Sequence, residues 1–216
     1  MRTYYKYLSF GADGTCQRNH TLDVFENSRL YMPLYNQLND PMEAFFESSD
    51  LTSRQVIEIK STKQAIRLCC LSKTYTDILM WSHYGDGHKG CCVEVVVQPN
   101  SSCIKKHINY TQAILAPIGT SSQERSIDIL SKKLQPWQYE REVRYLRDYS
   151  MVNNKFLDIR IKKVYLGCKL NTTEVEAYTQ LINNACMYGP QIEILQLQYN
   201  QLTYWKNKSH PKISIF

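Results

Sequence analysis

Residues 139–144 read YEREVR and place two acids one residue apart. In an extended chain side chains alternate, so Glu140, Glu142 and Arg144 share one face while Arg141, Val143 and Tyr145 share the other. Two adjacent carboxylates repel unless something compensates them. Such a pair can hold a ribose by its hydroxyls while one acid stabilises positive charge growing at an anomeric carbon. The same residues beside Arg141, Arg144 and Arg147 also fit cross-strand salt bridges with no chemistry at all.

A second constellation is MWSHYGDGHKG, residues 80–90. His83 and Tyr84 fall at a helix end, and His88 and Lys89 in a glycine-flanked turn whose N–H groups could receive an anion. Histidine carries protons near neutral pH, which makes His83 a candidate acid or base. The competing role is helix termination, with an imidazole bonded to a local carbonyl. The third constellation is Asn39-Asp40-Pro41-Met42-Glu43. Asp40 suits an N-cap, Pro41 the first helical position and Glu43 the third, so capping explains two of its polar residues; Asn39 can bond either a ligand or its own turn.

These groups need elements to position them. The aromatic stretch 2–10 predicts a first strand, 22–27 a short helix, RLYMP a second strand, and Pro41 the start of a helix. Residues 53–65 read as strand and loop, AIRLCCLS as a buried strand, 76–84 as a helix capped by Thr76 or Asp77, and CCVEVVV as a core strand. Beyond it, 109–118 reads as a strand, 121–134 as a helix, and 139–146 as the strand bearing the acids. Segment 156–170 alternates and then turns fully apolar. An amphipathic helix over 173–188 closes on Gly189-Pro190, QIEILQLQY is a last strand, and the basic tail from about residue 206 is expected to be loosely held. The order predicts a single α+β domain over 1–216, with a mixed, mostly antiparallel and split β-sheet core and peripheral helices.

Composition sets the outer bounds. The 216 residues are 43% hydrophobic and 21% charged, as in ordinary globular proteins, which excludes a disordered chain. The net charge of +6 favours polyanions mildly, but the basic residues are dispersed. Sixteen tyrosines supply aromatic surface for core packing or for planar ligands. No leader-like apolar region opens the sequence, so its eight cysteines predict a reducing, cytoplasmic setting. CxxxH spacings at Cys16–His20 and Cys103–His107 occur without any CxxC, and no metal centre is expected. No apolar run reaches membrane-spanning length. The P-loop, GxGxxG, GxSxG and kinase patterns are missing, which disfavours common nucleotide hydrolases, dehydrogenases and esterases.

Taken in order, YYKYLSF, RLYMPLYNQLNDPME, the strand ending CCLS, LMWSHYGDGHKGCCVEV, WQYEREVRYL and VYLG resemble a bacterial family designated domain of unknown function 2971. Lys6 stands where many of its members carry His. That layout is in turn similar to the ADP-ribosyltransferase superfamily, in which a first-strand basic residue contacts NAD, a mid-chain aromatic or hydroxyl group supports it, and a late ExE element supplies the catalytic glutamate. The resemblance implies NAD as cofactor, with Tyr5, Lys6 and Tyr7 in the first role. It implies Trp81 to Tyr84 in the second, with His88, Lys89 and Asn39 as further contacts, and Glu142 with Glu140 in the third. It further implies a protein or nucleic-acid acceptor, a cognate regulator protein, and a defence or toxin-like context. Two other readings remain open: a non-catalytic or RNA-directed module of a defence system that binds single-stranded nucleic acid through aromatic and basic residues, and a metal-dependent nuclease using Asp40, Glu43 and Glu140.

Overall fold

The structure, a computed structural model, describes residues 2–11, 16–48, 50–99, 102–117, 121–148, 154–187 and 191–203. In chain order its elements are β1 (Tyr4–Leu8), α1 (Cys16–Asn27), β2 (Arg29–Tyr31), α2 (Ser53–Gln64), β3 (Ile66–Ser72), α3 (Ile78–Tyr84), β4 (Cys91–Val97), β5 (Ile104–His107), β6 (Asn109–Thr111), α4 (Ser122–Ile129), β7 (Lys132–Leu134), β8 (Glu142–Asp148), β9 (Phe156–Leu166), α5 (Thr172–Ala185) and β10 (Glu193–Gln196). The class is α+β with mostly antiparallel pairing. The chain divides into two compact units, one of Met1–Arg29, Ser72–Gln98 and Asp158–Phe216, the other of Leu30–Leu71 and Pro99–Leu157.

The first unit carries strands in the order β10-β9-β4-β1. β4 pairs antiparallel with β1 and β9, and β10 runs parallel to β9. β9 alternates buried Ile159 and Ile161 with exposed Asp158 and Arg160, then buries Val164, Tyr165 and Leu166 in succession. This is the pattern of a strand leaving an edge for a core. Asp77 caps α3, its carboxylate accepting from the N–H groups of Leu79 at 2.9 Å and Met80 at 3.2 Å. Phe10 and Tyr178 of α5 stack at 3.9 Å.

In the second unit β8 lies between β3 and β5 and is antiparallel to β5, while β6 and β7 form a short parallel pair. Ile59 of α2 and Ile129 of α4 join Ile66, Leu68, Leu130 and Leu146 in its core. α2 replaces the strand and loop expected over 53–65. Its β-branched residues mimic a strand, but Thr52 and Gln55 form a reciprocal capping box and Ile59 and Lys63 are buried one turn apart.

Other expectations fail for identifiable reasons. No helix starts at Pro41: Asp40 accepts from Met42 N at 2.9 Å and from Glu43 N at 3.0 Å, and Ala44, at φ 59°, ends the turn. Glu43 cannot close a capping box because Arg144 holds it. The strand of the paired acids begins only at Glu142, since Gln135–Glu140 form a 3-10 helix and Arg141 is left-handed at φ 47°. Strand β6 covers only the first three residues of 109–118, and α4 ends at Ile129, five residues short of Leu134. Gly189-Pro190 and the tail from residue 206 lie outside the described residues.

Candidate functional site

Cross-strand partners share a face of a sheet, so register decides which side chains meet in the first unit. Tyr5 pairs with Glu94 and Glu94 with Lys163; Tyr7 pairs with Cys92 and Cys92 with Tyr165. Tyr5, Tyr7, Glu94 and Tyr165 therefore lie on one face. Lys6 pairs with Val93, which pairs with Val164, and belongs to the other. The expected trio Tyr5, Lys6 and Tyr7 is thus divided.

Tyr75 completes the aromatic group. Its ring stacks on Tyr165 at 4.2 Å and 14°, and lies 5.1 Å from Tyr5. Tyr165 Oη donates to Glu94 Oε2 at 2.9 Å. Tyr5, Tyr75 and Glu94 are half-buried, so the group keeps an accessible side. Burial, and then the Glu94 charge, push the Tyr5 hydroxyl up to about 12; burial and the hydrogen bond to Glu94 raise Tyr165 as well. Both phenols remain protonated donors at neutral pH.

Trp81 and Tyr7, both buried, position the loop that carries Tyr75. Trp81 is fully buried, edge-on to Tyr7 at 5.3 Å, and its Nε1 donates to the Tyr75 carbonyl at 2.7 Å. Tyr7 Oη donates to the Thr74 carbonyl at 3.0 Å. Two inward rings thus pin the loop that carries the outward one. Trp81 offers no ring face to solvent, so it acts on Tyr75 and does not stack on a ligand. At the end of α3 His83 is exposed and Tyr84 half-buried; in the following turn Lys89 is exposed, its Nζ 3.8 Å from Glu174, while His88 points inward and is buried.

The paired acids belong to the second unit and have a different environment. Glu142 accepts from Arg144 Nε at 2.7 Å and Nη2 at 3.0 Å. The other edge of the same guanidinium donates to both oxygens of Glu43, at 2.6 and 2.8 Å, and to the Leu130 carbonyl at 2.9 Å. Lys133 donates to Glu140 at 2.6 Å, lies 3.8 Å from Glu142 and sits 4.5 Å over the Trp137 ring. Arg144 is fully buried and none of the other four charged residues exceeds 8% exposure. Burial pushes the Glu142 carboxyl up, but the Arg144 charge and hydrogen bonds, with Lys133, outweigh it and hold the pKa at about 2. This is a closed ion-pair network, the structural alternative for the ExE pair. Asn39 is exposed in the same unit.

Two concavities of about 190 and 160 Å³ open on the second unit, and neither is lined by Glu140 or Glu142. Both fall short of the roughly 300 Å³ at which ligand pockets usually begin. Among the described residues no group of three or more His, Cys, Asp or Glu is placed to hold a metal ion. Glu43 and Glu140 are in any case committed to Arg144 and Lys133. No described helix is long and apolar enough to cross a membrane.

Sequence reasoning missed Tyr75, Glu94 and Tyr165. One signal was present: Glu94 is the single charge in CCVEVVV, and an acid within a core strand requires a partner. No protein-family model, curated protein or solved structure matches this chain.

Proposed function

We propose that the chain is an ADP-ribosyltransferase-like enzyme of the domain of unknown function 2971 type, and that the tyrosine face of its first unit receives the nicotinamide of NAD. The observation that carries this reading is three tyrosine rings within 4.2–6.4 Å of one another around a half-buried carboxylate. Electron-rich ring faces with a nearby acid attract planar cations, and the oxidised nicotinamide is a pyridinium. Glu94 then stabilises positive charge at the ribose carbon as the bond to nicotinamide breaks, and an acceptor nucleophile on a protein or nucleic acid takes the ADP-ribosyl group and gives up a proton. Glu94 takes the role that the ExE pattern suggested for Glu142, because Glu142 has both oxygens engaged by Arg144. A cognate regulator protein and a defence or toxin-like setting accompany this reading.

The test is nicotinamide release from NAD, followed by chromatography. The wild-type chain releases it, and Glu94→Gln and Tyr75→Ala lose most of that rate while their thermal melts stay close to wild type. Absence of release together with absence of NAD-dependent quenching of tyrosine and tryptophan fluorescence overturns the proposal.

One observation favours the RNA-binding reading. All four residues of β5 are exposed, among them Lys105, Lys106 and His107, which sets basic side chains along one strand. RNA affinity that falls steeply with salt and with Lys106→Ala, with no effect of Glu94→Gln, would select it.

A further inference from the structure

Ser82 and His88 face one another across the glycine turn that ends α3. Ser82 is exposed, and its Oγ lies 2.9 Å from the Ile78 carbonyl and 3.1 Å from His88 Nε2. The His88 ring is nearly parallel to Trp81, at 15° and 6.4 Å between centroids, and its Nδ1 is 3.8 Å from Cys168 Sγ. Indole, thiol and hydroxyl thus hold the imidazole on three sides.

The backbone accepts strain to keep it there. Asp86, Gly87 and His88 are left-handed in succession, at φ 52°, 56° and 74°. A non-glycine residue in that region costs about 1–2 kcal/mol, so the surroundings must over-determine it. They do. Lys169 N donates to the His88 carbonyl at 3.1 Å, and Gly167 packs so close that a Cβ there would lie 2.0 Å from that oxygen. At the other end of the turn, a Cβ on Gly90 would lie 2.2 Å from the Leu8 carbonyl. A helix needs no such arrangement merely to stop; it orients one imidazole toward one hydroxyl. Burial, and then the Lys169 charge, keep His88 below its ordinary pKa and therefore neutral at pH 7. Burial keeps the Cys168 thiol protonated.

We propose that Ser82 is an activated nucleophile with His88 as its general base, and that the pair takes acyl groups from activated esters or thioesters. Rotation of the Ser82 hydroxyl from the Ile78 carbonyl to Nε2 sets the reactive state, with Nδ1–H directed at Cys168 Sγ. Ser82 Oγ bonds to the acyl carbon and its proton passes to Nε2. The bond from that carbon to the leaving oxygen or sulfur breaks, and the leaving group takes the proton from His88. Water repeats the sequence, releasing the carboxylic acid and restoring the serine. Cys168 is a positioning residue. Neither Glu94 nor NAD takes part, so the proposal stands or falls apart from the transferase reading.

The experiment treats the full chain with p-nitrophenyl acetate, following the initial burst of nitrophenolate released as the acyl-serine accumulates and mapping acetylated serines by peptide mass spectrometry. Ser82 is expected to acetylate about a hundredfold faster than Ser61, an exposed serine of α2, the lower end of general-base assistance. Ser82→Ala abolishes the burst, and as an exposed substitution it leaves the fold intact. His88→Gln slows acetylation by the same factor. Should that variant misfold, Ser82→Cys gives the second readout: neutral His88 takes the thiol proton during attack, so at pH 7 iodoacetamide alkylates it faster than a Ser61→Cys variant. Acetylation of Ser82 no faster than of Ser61, a burst that survives Ser82→Ala, or alkylation of Ser82→Cys no faster than of Ser61→Cys each overturns the proposal.

Discussion

Replacing Glu142 by Gln separates a structural acid from a catalytic one. The side chain keeps its size and one acceptor oxygen but loses its charge and turns an amide N–H₂ toward donors. In the wild type, Arg144 Nε and Nη2 approach at 2.7 and 3.0 Å and Lys133 lies 3.8 Å away. These cations outweigh the burial that raises the pKa and bring it from 4.5 down to about 2. At about 1.4 kcal/mol per tenfold change in proton affinity, the ionised form contributes about 3 kcal/mol to the folded state. The folded pKa is depressed, so this contribution is complete above pH 4.5 and is lost as pH falls toward 2. Glu142→Gln should therefore lower urea-unfolding stability by about 3 kcal/mol at pH 7, within the range for breaking a buried pair. The gap to wild type should narrow between pH 4.5 and 3, because protonation removes the same charge from the native side chain. Equal stability at pH 7, or a gap that ignores pH, refutes the network as described. Equal stability joined to loss of nicotinamide release would return the catalytic role to Glu142 and remove it from Glu94.

Two further substitutions probe each unit separately. In the second, Lys63 is buried with its Nζ donating to the Ala44 carbonyl at 2.6 Å, 4.7 Å over Phe46 and 5.0 Å over Tyr35. Burial, and then Lys60, bring its pKa from 10.5 down to about 8, so the unfolded chain binds the extra proton between those values and wild-type stability gains about 3 kcal/mol as pH rises through that window. Lys63→Met has no such titration, and its stability relative to wild type should fall by that amount from pH 8 to 10.5 in matched urea titrations; a constant difference would show that Lys63 is solvated. In the first unit, Gly167→Ala forces a Cβ against the His88 carbonyl, and overpacking of backbone by backbone should cost about 3 kcal/mol in the same assay. A urea transition unchanged from wild type would mean that the glycine turn is not clamped.

What the sequence reveals depends on how far away the deciding partner lies. Asp77 capping α3, the β-branched β4 and the alternation of β9 are local matters, and each forms as its residues predict. Asp40-Pro41-Met42-Glu43 carries equally good local chemistry, yet no helix forms there. Its Glu43 is captured by Arg144, 101 residues further on, and a bidentate bond to a buried guanidinium outweighs a capping bond. The acids of YEREVR mislead for a related reason. Period-two alternation holds only while every residue is extended, and Arg141 at φ 47° interrupts it between them. They still approach one cation, Lys133, but from a 3-10 helix and a strand rather than from one strand face.

The tyrosine face shows the limit from the other side. Tyr165 and Glu94 lie 71 residues apart, and only the register of β4 between β1 and β9 brings them together with Tyr5. Their surroundings also show why proximity of acids in sequence is a poor guide to catalysis. A carboxylate stabilises charge that develops late only if lone pairs remain uncommitted beforehand. Glu142 has both oxygens engaged by Arg144 and a pKa held at about 2, so a growing cation would compete with a buried guanidinium for it. Glu94 accepts from the neutral Tyr165 hydroxyl through Oε2, has a cross-strand neighbour in Lys163 whose amine bonds Glu193 at 2.7 Å instead, and keeps the partial access to solvent that a cationic ligand requires. Ionic partners inside a fold consume the reactivity that makes a carboxylate useful, whereas a phenol orients it without neutralising it.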